Sequence, residues 1–122
     1  METPRQLSPR PLRWVASAKK DLMAMPRPVK RKVGFALYLG QIGEKHPATK
    51  PLKGFGSAGV LEVIEDYQGD TYRAVYTVRL KRAVYVLHCF KKKATKGTQT
   101  PRPDLDLMRS RLKAAQETDE EM

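Results

Sequence analysis

Apolar residues recur at helical spacing at both ends of the chain and at strand-like spacing in between. Over residues 27–42 Val29, Val33, Leu37 and Ile42 form one stripe, which Phe35 and Leu39 widen, so a helix is predicted there. Before it, Ser17 stands where a cap would, and Leu22 and Met25 give a short helix over 18–25 an inward side. Pro26 and Pro28 separate the two helices, and Gly43 ends the second. The middle of the chain is rich in β-branched and aromatic residues: VLEVIEDY, TYRAVYTVRL and RAVYVLHCF read as strands. Gln68-Gly69-Asp70 and Lys81-Arg82 supply the turns, so the strands are expected to form a three-stranded antiparallel meander. Pro101 and Pro103 open a last helix, in which Leu105, Met108 and Leu112 make the docking stripe. The predicted class is α+β, with two N-terminal helices, a small antiparallel sheet and a C-terminal helix.

Alternation sorts the strand residues between faces. Arg73, Val75, Thr77 and Arg79 share one side of the second strand and are expected to face an open groove. Tyr72, Ala74, Tyr76 and Val78 share the other and are expected to cover the helices. By the same count His88 lies with Val84, Val86 and Phe90. Outside the domain, taken as residues 14–116, residues 1–13 read as a flexible, Pro-rich basic arm and residues 117–122 as an acidic tail that frays.

Charge narrows the field. The 122 residues carry 24 Lys and Arg against 13 Asp and Glu, a formal net charge of +11. So dense a positive charge favours a polyanion partner, whether RNA, DNA or an acidic protein. Lys30, Arg31 and Lys32 crowd the first turns of the second helix, where the backbone already carries partial positive charge. They form either a solvated face or one that meets a partner's anions. Cys89 is the single cysteine, which excludes an intramolecular disulfide and suits a reducing compartment, and its apolar strand makes it a packing residue. No apolar run reaches membrane-spanning length, so a soluble cytoplasmic protein without membrane contact is expected.

The chemistry available is limited by what the chain lacks. His46 and His88 have no partners at metal-ligand spacing, and KPLKGFGSAG lacks the Gly-Lys-Ser/Thr ending of a nucleotide-binding loop. Neither a metal nor a cofactor is expected. What remains is cations, tyrosines and histidine, a set that suits RNA, whose 2′-hydroxyl is its own nucleophile. Arg73 is the first candidate for stabilising a phosphate in transition, against a structural reading as a partner of Glu62 or Glu65. Lys92 and Lys93, where the third strand leaves the sheet, are the next. His88 is a candidate proton shuttle, against a hydrogen-bonded core histidine. Lys53, Arg79 and Lys91 are candidate RNA-binding cations, and Tyr76 a candidate base-stacking ring.

Three segments, LKGFGSAGVLEVIEDYQGDTYRAVYTV, VYVLHCFKKK and TPRPDLDLMRSRL, resemble the phage-derived Gp49-like group of the RelE/ParE toxin superfamily, which includes HigB-type toxins. With the upstream helices the resemblance spans residues 14–113. It implies helices on one face of a small sheet, a basic concave site on the other, and metal-independent cleavage of mRNA on the ribosome through 2′-hydroxyl attack. By position Lys53 matches a basic residue before the first main strand, Arg73 the strand arginine, and Lys92 and Lys93 the basic pair after the last strand. The proton-transferring Tyr or His that many RelE-branch toxins carry near the C-terminus has no counterpart after Lys93. The resemblance also implies an antitoxin with a helix-turn-helix domain, through which operator DNA would be bound. Two alternatives stay open: a ParE-like toxin directed at gyrase, and a non-catalytic basic protein of the ribosome.

Overall fold

In the computed structural model, which describes residues 8–56, 58–93 and 101–121 and all but the side chain of Lys93 among them, one sheet organises the chain. Its strands are β1 (Leu12–Trp14), β2 (Thr49–Pro51), β3 (Val60–Tyr67), β4 (Asp70–Thr77) and β5 (Val84–Lys93), in the order β1-β5-β4-β3-β2. The helices are α1 (Ala18–Met23), α2 (Arg27–Gln41) and α3 (Arg102–Glu121).

The predicted meander is β3-β4-β5. Gln68 (φ 49°) and Gly69 (φ 85°) make its first turn, the left-handed pair that matches strand twist in a two-residue hairpin. The sheet is nevertheless larger and mixed. β2 adds antiparallel to β3, and β1 adds parallel to β5, with Leu12 opposite Val84 and Trp14 opposite Val86.

The helices cover both faces of the sheet, which corrects the expected open groove. Ala18, Leu22, Val29, Val33 and Leu37 pack on Tyr72, Ala74, Tyr76, Val84 and Val86. Met108, Leu112 and Ala115 pack on the opposite face, on Val75, Tyr85 and Leu87. The reason is length: the 20 residues of α3 span about 30 Å at ~1.5 Å per residue, enough to cross the sheet.

Both ends of the predicted domain move outward. Of the arm assigned to residues 1–13, residues 8–13 are described and its end enters β1, while residues 1–7 lie outside the described set. Arg10 donates to the carbonyls of Val78 (3.0 Å), Leu80 (2.9 Å) and Gly40 (3.2 Å), and the Val84 N–H bonds the Pro11 carbonyl at 2.9 Å. A sheet edge and a helix end leave backbone groups that need partners, and this segment supplies them. Residues 117–121 of the acidic tail end α3 as helix. Asp119 is buried and accepts from the N–H groups of Lys81 and Arg82, both at 3.0 Å, and from the Tyr85 hydroxyl at 3.2 Å.

Candidate functional site

β4 and β5 meet in a register that decides which side chains gather. Arg73 lies opposite Phe90, Thr71 opposite Lys92 and Val75 opposite His88, but Tyr76 lies opposite Val86. One extra residue in β5, Leu87, makes a bulge there. It reverses the face of everything beyond it. Val84 and Val86 point to α1 and α2, whereas His88 and Phe90 join Arg73 on the side of α3. The expected grouping of His88 with Val84 and Val86 is therefore wrong, because strict alternation cannot foresee a bulge.

Arg73 is buried. Its Nη1 lies 3.0 Å from Oε2 of Glu62, which is also buried, with 3% and 1% of the two residues exposed. The partner weighed from sequence is the real one, but the pair stands inside the molecule and not on its surface. Glu62 sits on β3 opposite Val75, two residues along β4 from Arg73, so a diagonal across the ladder joins the ions. Taking both from water is offset only by close geometry and mutual attraction.

His88 is held from both sides. Arg111 Nη1 lies 3.4 Å from Nδ1, and a guanidinium can only donate, so Nδ1 accepts. Nε2 then carries the proton and donates to Asp104 Oδ1 at 2.9 Å. The ring stacks on Phe90 with centroids 4.6 Å apart. Arg111 also donates to the Leu87 carbonyl (2.8 Å) and to Ser17 Oγ (3.3 Å), and Ser17 donates to Asp21 (2.8 Å). This chain ties α1, β5 and α3 together. With both ring nitrogens committed, His88 is built as a pin for the start of α3, and the proton-shuttle reading gives way to the hydrogen-bonded one.

The remaining candidates divide. Lys92 is half-buried and by alternation shares the face of Arg73. Lys93 pairs with Asp70 through the backbone. Lys91 points to the opposite face, exposed, 3.8 Å from Asp70 Oδ2. Lys53 is exposed in the loop after β2, whose Phe55 lies under the Arg109 guanidinium at 5.4 Å. Tyr76 cannot stack on a base: it is fully buried under α2, its hydroxyl 3.5 Å from Thr49 Oγ1, and burial raises its pKa. Arg79 packs over Gly59 and shares a cleft with Arg10 and Lys45. It stands two residues past the end of β4, on the far side of that end from Arg73. Cys89 is buried as expected, and desolvation pushes its thiol up to about 12.

Asp104 and Arg111 are the residues to which sequence reading assigned no role, and Glu62 was weighed only as a surface partner of Arg73. Asp104 carried a signal, since an acid in the first turn of a helix suits the helix dipole. Arg111 carried none beyond its charge. Among the described residues no three His, Cys, Asp or Glu gather where they could hold a metal ion, and no helix is long and apolar enough to cross a membrane.

A family model described as phage-derived protein Gp49-like matches residues 20–113. Among solved structures, a chain of the RelBE2 toxin–antitoxin complex from Mycobacterium tuberculosis is similar, with 21% identity and a TM-score of 0.46. That match covers 73% of this chain and 98% of the other. No curated protein sequence matches.

Proposed function

We propose a toxin's role for this chain from one premise: it belongs to the phage-derived Gp49-like protein family, a RelE-like toxin family. On this reading it is the toxin of a type II toxin–antitoxin module, cytoplasmic, held in check by an antitoxin that carries the operator-binding domain. Its activity is cleavage of mRNA on the ribosome. The 2′-hydroxyl gives up its proton as its oxygen bonds to the adjoining phosphorus, the bond from phosphorus to the 5′-oxygen breaks, and that oxygen takes up a proton as it leaves a 2′,3′-cyclic phosphate behind.

The observation that carries this reading is the juxtaposition of Arg73 and Lys92 on one face of adjacent strands. Cross-strand diagonal neighbours stand about 7–8 Å apart, so the buried Arg73 stands close behind the half-buried Lys92, the cation of the two that a phosphate on this face would meet. Arg73, only 3% exposed and held by Glu62, adds its charge from beneath the site and does not touch the phosphate. Lys92 offsets charge on the leaving group, and Lys53 holds the RNA backbone. His88 acts as a positioning residue through Asp104 and Arg111.

Primer extension on a defined mRNA in a purified translation system tests the proposal. Cuts at in-frame positions, present only with ribosomes and reduced at least a hundredfold by Arg73→Lys or Lys92→Ala, are expected. An intact message would overturn it. The burial of the Glu62–Arg73 pair favours a second reading, in which the scaffold binds its target without cutting RNA. Arrest of gyrase supercoiling by a protein that leaves mRNA intact would select that reading.

A further inference from the structure

The outward side of α2 is built against the usual pattern of an amphipathic helix. Val29, Val33, Ala36, Leu37 and Gly40 are buried, so the opposite pole should be polar. That pole carries Arg27, Arg31, Gly34 and Tyr38, which follow one another at helical spacing, with Phe35 beside them. Phe35 is 54% exposed and Tyr38 47%, and Met23 near Lys30 is 49% exposed. The expected place of Phe35 in the buried stripe is thus wrong: it lies about a third of a turn too far round the helix.

Gly34 is equally unaccounted for. Glycine weakens a helix interior relative to alanine, and a Cβ at Gly34 would meet nothing within 4 Å. Gly40 in the same helix is different, since a Cβ there would stand 3.3 Å from the Tyr76 ring. Packing within this chain requires the second glycine and not the first.

Charge on α2 is also one-sided. The helix has four cations, Arg27, Lys30, Arg31 and Lys32, and no acidic residue. Lys32 pairs with Glu65 at 3.1 Å. Among the described residues no carboxylate pairs with Arg27, Lys30 or Arg31.

We infer that this face of α2 is a docking surface for an acidic amphipathic helix of another protein. Gly34 is the point of closest approach, since the distance between packed helices is set by the side chains at their contact. Phe35, Tyr38 and Met23 flank it and take the partner's apolar stripe. Arg27, Lys30 and Arg31 take its carboxylates, which also relieve the repulsion between these cations and the N-terminus of α2. A second copy of this chain fits poorly, because a two-fold contact would set the same cations against each other. RNA needs the cations but not a glycine between aromatic side chains on a helix. The surface lies across the sheet from Arg73 and Lys92, so it stands apart from RNA cleavage. Where the toxin reading holds, the antitoxin is the protein expected to carry the partner helix.

The test uses the full chain, 15N-labelled, and a synthetic helical peptide with leucines along one side and glutamates flanking them. Expected are shifts confined to α1 and α2, at least tenfold weaker binding to Gly34→Leu, and unchanged binding to Lys92→Ala. A peptide with lysines in place of the glutamates should not bind, and a single-stranded RNA oligonucleotide should leave the α2 resonances unmoved. Tyr38→Ser provides a second reading if Gly34→Leu changes the circular dichroism. Wild-type affinity in a folded variant, equal binding of the lysine peptide, shifts on β4 and β5, or RNA on α2 would each overturn the inference. Self-association abolished by Gly34→Leu would overturn it in favour of a second copy. Failure here leaves mRNA cleavage as it was, so the two readings fail separately.

Discussion

The two faces of the sheet are closed by different means. Under α1 and α2 the core of the contact is hydrocarbon, from Leu22 and Val29 on Val84 to Leu37 and Tyr76, with polar groups at its margins, in Tyr76–Thr49 and Lys32–Glu65. Under α3 hydrocarbon holds only the middle, where Met108, Leu112 and Ala115 meet Leu87 and Tyr85. Beyond it at one end stand the Glu62–Arg73 pair and the Asp104–His88–Arg111 chain, and at the other Asp119. A core of hydrocarbon tolerates change in proportion to the volume removed, whereas a buried ion depends on its partner being present. The polar ends of the α3 face are thus the more brittle half of the molecule, and they include the residues to which the proposed chemistry is assigned.

The sharpest way to break that comparison is Glu62→Ala. It strands the Arg73 guanidinium in the interior and is expected to lower stability by about 3–5 kcal/mol in urea unfolding. The double variant Glu62→Leu with Arg73→Met should recover most of that loss while abolishing mRNA cleavage. If it does not recover, the pair is needed for folding, and its retention says nothing about function.

Asp119→Ala probes the far end of the same face. Two backbone N–H groups and the Tyr85 hydroxyl lose their acceptor, which should lower stability by about 1–3 kcal/mol. A loss no larger than that of an exposed neighbour such as Glu117→Ala would show that water replaces the carboxylate.

Alkaline titration compares the two faces directly. Burial raises the pKa of Tyr76 on one face, and burial together with the Asp119 carboxylate raises that of Tyr85 on the other. Cys89, beside Val86 on the first face, is pushed from 9.0 to about 12. Each group is neutral below its unfolded value, so its contribution is complete there and is lost as pH rises toward the folded value. Stability should hold to pH 9.0 and fall between 9.0 and about 12, and Cys89→Ala should delay the onset of the fall.

Gly34→Ala is the smallest effect and the only one with the opposite sign. An exposed glycine in a helix interior costs about 0.5–1 kcal/mol relative to alanine. Its replacement should raise the melting temperature while weakening the proposed peptide contact. No gain in stability would mean that the backbone at Gly34 departs from ordinary helix.

Much of the chain was legible because its determinants are local. The 3.6-residue stripe Val29-Val33-Leu37, the prolines before α2 and α3, and the turn at Gln68-Gly69 each act within a few residues, and all three helices and the three main strands follow from such signals. The family was legible for a related reason: its motif residues fall in three short runs, through β3 and β4, along β5 and at the start of α3. The site was only partly so. Arg73 and Lys92 fall on one face by simple alternation, but His88 reaches it through a bulge at Leu87, which depends on pairing with another strand.

By itself, then, the sequence determined the order and kind of the elements, the basic character of the surface, and the pairing of β3, β4 and β5, since hydrogen bonding and periodicity within short segments decide these. Only the tertiary structure decided that β1 would close the edge of β5, that α3 would cover the presumed groove, and that Arg73 would be buried on Glu62. It also decided that Asp119 would lock the β4–β5 loop. Each of these joins residues remote in the chain, by a desolvation balance that no local pattern encodes.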